Sequence, residues 1–317
     1  MIRFLLFIFC SFFIVEYGYA NEQTESKQTA REINLVKETF VNVDGAKLFC
    51  RSIGKGSPII VIHGGPGLTQ DYLLPQMYKL AEKHFVIFYD QRGCGQSTGE
   101  INSKSINMET YVKDLEAIKK AFNFDKVSVL GHSWGGFLAM EYAITYPDSI
   151  NKLILANSMP ASSEEYDLFI KEYMRRMAPF QEELTEIYKS QSFLEGSPEA
   201  NERAFRIMFR TYCYSEEKAE LLNLFMTPQA SLNQLKVYNC FCESIFSKNF
   251  NLHESLKKLR MPVLVIHGDV DPIPFISADN MHTSIRNSHY VLMKNCGHFP
   301  YVEEPDLFFN HVFEFLK

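Results

Sequence analysis

The chain has 317 residues, 46% hydrophobic, 14% aromatic and 22% charged, a composition that buries a core and excludes disordered, collagen-like and coiled-coil proteins. Its 32 Lys and Arg against 38 Asp and Glu give a net charge of −6, no electrostatic footprint for a nucleic-acid partner or an anionic membrane surface. The length exceeds a minimal single domain and predicts either a large insertion or a second domain.

The chain opens with Arg3 and an unbroken apolar run over residues 4–15, stopped by Glu16. A bilayer span needs about 20 apolar residues, so this run is too short for one and fits the apolar region of a signal peptide. Gly18 and Ala20 are the small residues expected before the cut, which places the signal peptide at 1–20 and predicts export to the periplasm or beyond the cell. The alternative is an uncleaved leader that anchors the chain to a membrane. Once the leader is removed no stable membrane insertion is expected, and residues 21–31 read as a polar lead-in.

Export bears on the cysteines. Cys10 lies in the leader without the small residues a lipidation site requires, leaving Cys50, Cys94, Cys213, Cys240, Cys242 and Cys296. Cys213 with Cys240 or Cys242 is the first disulfide to test, because all three share one segment; buried free thiols are the alternative. Paired Cys-x-x-Cys and His-Glu-x-x-His are missing from the sequence, so no metal site is indicated.

Residues 33–43 and 47–53 flank the turn signal Asp44-Gly45 and predict an antiparallel hairpin. Short, wholly apolar runs follow at 58–62, 85–89, 127–130, 153–155, 263–266 and 290–293, the pattern of strands buried on both faces of a parallel sheet. Helical patterns separate them at 72–83, 106–122, 134–146, 275–285 and 305–316. This alternation predicts an α/β class with a core built from 21–156 and 259–317. The rhythm stops over residues 157–258. A loop much beyond about 12–15 residues normally carries structure or function, so this stretch, with helical patterns at 166–177 and 182–189, reads as a helical cap inserted into the core.

The strongest local signal is Gly131-His132-Ser133-Trp134-Gly135-Gly136, directly after one apolar run and before a helical pattern. In that context Gly-x-Ser-x-Gly is a nucleophile elbow, a sharp turn that presents the Ser133 hydroxyl at a strand's carboxyl end. The N–H of Trp134, at the helix start, is one candidate oxyanion donor. His63-Gly64-Gly65-Pro66-Gly67, after residues 58–62, supplies a second through Gly65.

A hydroxyl needs a base, and the base a carboxylate to fix its tautomer. The expected chain order is Ser, acid, His. His298, in the loop Asn295-Cys296-Gly297-His298-Phe299, stands where a base projects over the sheet edge; His267, ending a strand, and His311, in a helix, read as packing and surface. Two acids follow residues 263–266. Asp271, three residues beyond Gly268, has the spacing of a triad acid, and Asp269 reads as a turn cap.

With these residues in place, the chain resembles the α/β-hydrolase superfamily over nearly all of residues 32–317, and within it the prolyl aminopeptidase (proline iminopeptidase) family. The resemblance rests on His63-Gly64-Gly65-Pro66-Gly67 followed by Asp71-Tyr72-Leu73, on Asp90-Gln91-Arg92-Gly93-Cys94-Gly95-Gln96-Ser97, and on the elbow itself. It implies an α/β-hydrolase fold, a mostly parallel central sheet flanked by helices with an inserted helical cap, and a serine hydrolase that releases an amino-terminal residue, often proline, from short peptides through an acyl-enzyme. No metal or organic cofactor is needed. In the 90–97 segment Arg92 is expected to hold a structural turn. The resemblance also implies acidic cap residues that hold the substrate's amine: Glu243, in the aromatic and cysteine-rich run 238–246, is the candidate, while Glu164, Glu165, Glu182, Glu183, Glu216 and Glu217 read as surface. The chain departs from the family in having no tryptophan in the cap and in the Pro272 that follows Asp271. An esterase or amide hydrolase acting on a small substrate without a free amine is therefore the alternative, and a non-catalytic binding module a third.

Overall fold

The computed structural model describes residues 36–317; the leader, Cys10, the polar lead-in and the first residues of the expected hairpin lie outside them. Eight strands form one sheet: β1 Lys37–Val43, β2 Ala46–Gly54, β3 Ser57–Ile62, β4 His84–Tyr89, β5 Val127–His132, β6 Ile150–Ala156, β7 Val263–Gly268 and β8 Ser288–Met293. Their spatial order is β1-β2-β4-β3-β5-β6-β7-β8. β1 and β2 pair antiparallel around the Asp44-Gly45 turn, β2 pairs antiparallel with β4, and the other neighbours run parallel. The chain passes from β3 to β4 on one side and then crosses to β5 on the other. Strand order thus reverses at β3, and in open α/β sheets a crevice forms at such a point beyond the strands' carboxyl ends.

The central strands are wholly buried because both faces are covered by helices, which is why they read as continuous apolar runs. α1 Met108–Ala121 is capped by Asn107, whose side chain accepts the Thr110 N–H at 3.0 Å. α2 Trp134–Thr145 lies deep in the core, and α7 Phe275–Ser284 and α8 Pro305–Leu316 cover the later strands. Between β6 and β7 come α3 Ser163–Met177, α4 Gln181–Lys189, α5 Pro198–Arg210 and α6 Pro228–Phe241, the last running into a π-helical turn at Cys242–Phe246. Among the described residues no helix is long and apolar enough to cross a membrane.

Two expectations are corrected. The helix expected over 72–83 is two 3₁₀ stretches, Gln70–Leu73 and Gln76–Glu82. Pro75 separates them, since it removes a backbone donor and pushes the residue before it, Leu74, out of helical conformation. The pairing of Cys213 with Cys240 or Cys242 is not formed, for all six described cysteines are free. Cys213 is buried against Gly297 of the loop after β8, whereas Cys240 packs beside the main core from the end of α6.

Candidate active site

Ser133 sits between β5 and α2 with φ 57° and ψ −123°. A non-glycine residue there costs of order 1–3 kcal/mol, a strain the packed strand and helix impose. The flanking glycines explain how. A Cβ on Gly131 would run into the carbonyl of Gly135, and one on Gly135 into the carbonyls of Ile62 and His63. The elbow therefore closes only without side chains at these two positions, seated against the end of β3.

The loop after β3 brings the second set of backbone donors. The Gly64 N–H is donated to the Tyr72 hydroxyl at 2.6 Å, which leaves Gly65 as the next N–H along the cavity wall. Trp134 is the first residue of α2, so its N–H has no partner within the helix and lies at the positive end of the helix dipole. Gln91 fixes the two loops to each other. Its amide donates to the His63 carbonyl at 2.7 Å, and its oxygen accepts the Trp134 indole N–H at 2.9 Å. Arg92 next to it makes a buried two-pronged pair with Asp114 of α1 at 2.9 and 2.7 Å. The 90–97 segment is thus more than a turn: through Gln91 it bridges the loop after β3 and the Trp134 side chain.

Asp271 and His298 come from the loops after β7 and β8. His298 Nδ1 lies 2.8 Å from Asp271 Oδ2, and both side chains are buried. Asp271 Oδ2 also accepts from Asn157 Nδ2 at 2.6 Å, and Oδ1 accepts the Ile273 N–H at 2.8 Å. Burial alone would push the Asp271 carboxyl up, but the charges and hydrogen bonds of His298, His267 and Asn157 outweigh it and hold the carboxyl below its ordinary value. Asp269 instead accepts the Cys296 N–H at 3.4 Å and stands near Lys294, away from His298. His267 is spent on the Ile273 carbonyl at 2.8 Å. Ser133 and His298 share one cavity wall without a direct hydrogen bond between them.

Two polar residues in this shell carry no motif. Asn157, just past β6, grips both Asp271 and the Gly297 carbonyl, the latter at 2.9 Å. Glu303 is buried and accepts three backbone N–H groups: Gly297 at 2.9 Å, Phe299 at 3.0 Å and Tyr214 at 2.7 Å. It therefore brackets His298 on both sides and binds the same loop to the helical segment, where the Tyr212 carbonyl accepts the His298 N–H at 2.8 Å. Arg176 of α3 adds a tie to the acid loop, donating to the Val270 carbonyl at 2.7 Å.

The cavity over Ser133 has a volume of about 320 Å³. Gly64, Gly65, Ser133, Trp134 and His298 line its floor. The helical segment supplies most of the wall: Tyr166, Phe169 and Tyr173 from α3, Phe205 and Phe209 from α5, and Tyr238 from α6. None of the described residues that line it is Asp, Glu, Lys or Arg. Glu243 is exposed on the π-helical turn and does not line the cavity, so the amine-holding role expected of it is dropped. The turn carries Phe246 into the cavity and leaves Glu243 facing water. Glu165, expected at the surface, is buried and shares one oxygen between His253 at 3.1 Å and Asn280 at 2.7 Å, clasping α3 to α7.

Comparison with known proteins follows the same lines. The α/β hydrolase fold family matches residues 57–305. A proline iminopeptidase from Clostridium botulinum is 30% identical over 258 residues, covering 79% of this chain and 86% of the relative. The chain belongs to the α/β-hydrolase superfamily and, within it, to the proline iminopeptidase family. This member of the family is a serine hydrolase by its kinship. Among solved structures, an α/β fold family hydrolase from Bacillus anthracis superposes with a TM-score of 0.69 at 22% identity, covering 88% of this chain and 99% of that one. The proline iminopeptidase of Mycobacterium smegmatis superposes at 0.65 and 24%, covering 88% and 97%. Both share the α/β-hydrolase fold with this chain.

Proposed function

We propose that this hydrolase works through Ser133, His298 and Asp271 by way of an acyl-enzyme. The observation that carries the reading is the buried 2.8 Å contact of His298 Nδ1 with Asp271, on the cavity wall that also holds the strained Ser133. Ser133 Oγ attacks the substrate carbonyl while His298 Nε2 takes its proton and then delivers it to the leaving group. Asp271 holds Nδ1–H and stabilises the imidazolium that forms. The N–H groups of Gly65 and Trp134 receive the developing oxyanion; losing one such donor costs about 2.7–4 kcal/mol in a serine hydrolase. Water, deprotonated by His298, then releases the acid and regenerates Ser133.

The substrate in this reading is a short peptide whose amino-terminal residue, proline foremost, becomes the acyl group, as the name of the Clostridium botulinum relative suggests. The aromatic lining of the cavity supports a compact ring in that position. A second reading, an ester or amide without a free amine, is favoured by the lack of any carboxylate among the described lining residues. Prolyl 4-nitroanilide turnover, with Ser133→Ala as the blank and phosphonate labelling to identify the nucleophile, tests the first. Labelling that bypasses Ser133 would refute it. We also infer that the apolar run at 4–15 directs export, which amino-terminal sequencing of the mature protein tests; an intact Met1 in exported material would argue for an anchor.

A further inference from the structure

The wall of the cavity over Ser133 is uneven. Met159, Phe205, Phe209 and Ile273 are buried and form its closed part. Gly65, Tyr188 of α4, and Leu235 and Tyr238 of α6 also line it but are exposed, and so mark its mouth. Gly65 is the proposed oxyanion donor, which puts the scissile carbonyl at the threshold between the two. α6 is seated at the same threshold, where a Cβ on Gly67 would run into the Gln234 carbonyl. The two halves of a substrate make different demands there. An amino-terminal residue ends at its own amine and fits within closed walls, whereas the chain beyond the scissile bond continues and has to pass out through the mouth.

That mouth is apolar. Leu232, Leu235 and Tyr238 recur every three residues along α6, a spacing that puts them on one face, and they are 36%, 39% and 38% exposed. Tyr188 is 36% exposed. Half-wet apolar side chains gain free energy when a ligand covers them. A tyrosine at such a rim can turn its ring to the ligand and its hydroxyl to water. Gln234 lines the cavity beside Leu235 and brings a carboxamide, whose donor and acceptor match those of a peptide group.

We propose that this mouth is the leaving-group subsite and that it selects an apolar leaving group. The α6 face of Leu232, Leu235 and Tyr238, together with Tyr188, takes the side chain of the residue after the scissile bond, and Gln234 meets the peptide group that follows. In an ester the same face takes an apolar alcohol. This rests on the acyl transfer at Ser133 proposed above and adds the class of group that departs.

The test is a competition between prolyl-leucinamide and prolyl-asparaginamide, which differ in polarity at nearly equal size. Both draw on one pool of enzyme, so the folded fraction cancels in the ratio of their kcat/KM values. Wild type is expected to favour leucine by about tenfold or more. Leu235→Asn and Leu232→Asn, at half-exposed positions, are each expected to lower that ratio by about threefold or more. Prolyl 3-methylbutylamide keeps the leucine side chain and lacks the carboxamide that follows it. Gln234→Ala is expected to lower the ratio of leucinamide to this analogue by about fivefold or more; an unchanged ratio overturns the part given to Gln234.

Butyl and 2-methoxyethyl cyclopentanecarboxylates, again matched in length, are assayed beside the amides. The ether alcohol is the better leaving group, so a preference for butyl comes from binding. Prolyl amides cleaved without a leucine preference, or with one that survives both leucine variants, overturn the inference and leave the aminopeptidase reading standing. Butyl favoured while neither prolyl amide is cleaved upholds the inference and removes the aminopeptidase reading. If neither the amides nor the esters are hydrolysed, both fall.

Discussion

The Tyr72 hydroxyl lies 2.6 Å from His132 Nδ1, joining the loop after β3 to the elbow that carries Ser133. The other ring nitrogen, Nε2, is 2.7 Å from the His298 carbonyl, which can only accept, so Nε2 carries the proton and Nδ1 accepts from Tyr72. Tyr72 in turn accepts the Gly64 N–H. One neutral histidine, the residue before Ser133, thereby connects the loop after β3 to the backbone of His298. Burial, reinforced by the nearby His298, pushes His132 down to about 3, so the arrangement persists across the neutral range.

Tyr72→Phe removes the partner of both Gly64 N–H and His132 Nδ1 and keeps the ring that packs against Phe299. Leaving two buried polar groups unmatched costs of order 1–3 kcal/mol each. The loss is expected mainly in kcat, by roughly 10- to 100-fold, with KM little changed, because the groups displaced are those that meet the transition state. Steady-state kinetics on any turned-over substrate checks this; an unchanged kcat would mean that the three loops hold their places without the hydroxyl.

Asp271→Asn and Asp269→Asn separate the two acids. The first forces the wrong tautomer on His298 and is expected to lower kcat by roughly 10⁴-fold, the magnitude seen when a triad aspartate is amidated. The second disturbs one long bond to the Cys296 N–H and a partly exposed contact with Lys294, so activity should stay within a few-fold of wild type. Comparable losses from both would refute the assignment of roles.

The central strands were legible because burial on both faces leaves an unbroken apolar run, yet β5 continues through Gly131 and His132, which hydropathy does not mark. Their strand character comes from pairing with Leu155 and Ala156 of β6, a property of the neighbour. The elbow was legible because its glycines answer a local steric demand. Asn157 and Gln91 were not, since each acts on residues tens of positions away, brought close only by the sheet order. Glu303 was not, because its hold on Gly297 and Phe299, six and four positions away, carries no motif, and its third partner, Tyr214, lies 89 positions off. A polar residue just past a buried apolar strand is the one signal Asn157 and Gln91 share. Glu243 failed for a related reason: composition marked the run 238–246 as part of the pocket, but only the turn decides which side chains face it.

Gln91→Leu tests the bridge between the loop after β3 and Trp134. It leaves the His63 carbonyl and the Trp134 indole N–H buried without their partner and should destabilise the fold by roughly 2–4 kcal/mol. If the bridge sets the donor spacing, kcat falls further than it does in a variant of equal stability altered elsewhere, such as Arg92→Met, which breaks the Asp114 pair. Urea midpoints and kcat measured for both variants make the comparison. Equal kcat at equal stability would reduce Gln91 to a packing role.

His63 supplies the pH test. Its ring is buried, with Nδ1 2.8 Å from the Gly64 carbonyl and Nε2 accepting the Gln91 N–H at 3.0 Å. Burial pushes it down to about 4, against an ordinary value of 6.5. The unfolded chain therefore takes up a proton below pH 6.5 that the folded chain refuses until about pH 4. The stability owed to the neutral ring is complete above pH 6.5 and is lost as pH falls through that window, at roughly 1 kcal/mol per pH unit. Other buried groups titrate too: burial raises Asp90 to about 6, which works in the opposite direction over much of the same range. A difference measurement removes them. His63→Gln keeps a donor and an acceptor but no proton to exchange, so wild type should exceed the variant in stability most at pH 7. The gap should narrow by roughly 1 kcal/mol per pH unit between pH 6.5 and 4 in urea titrations. A gap independent of pH would show that His63 takes its proton equally well in the folded and unfolded chain.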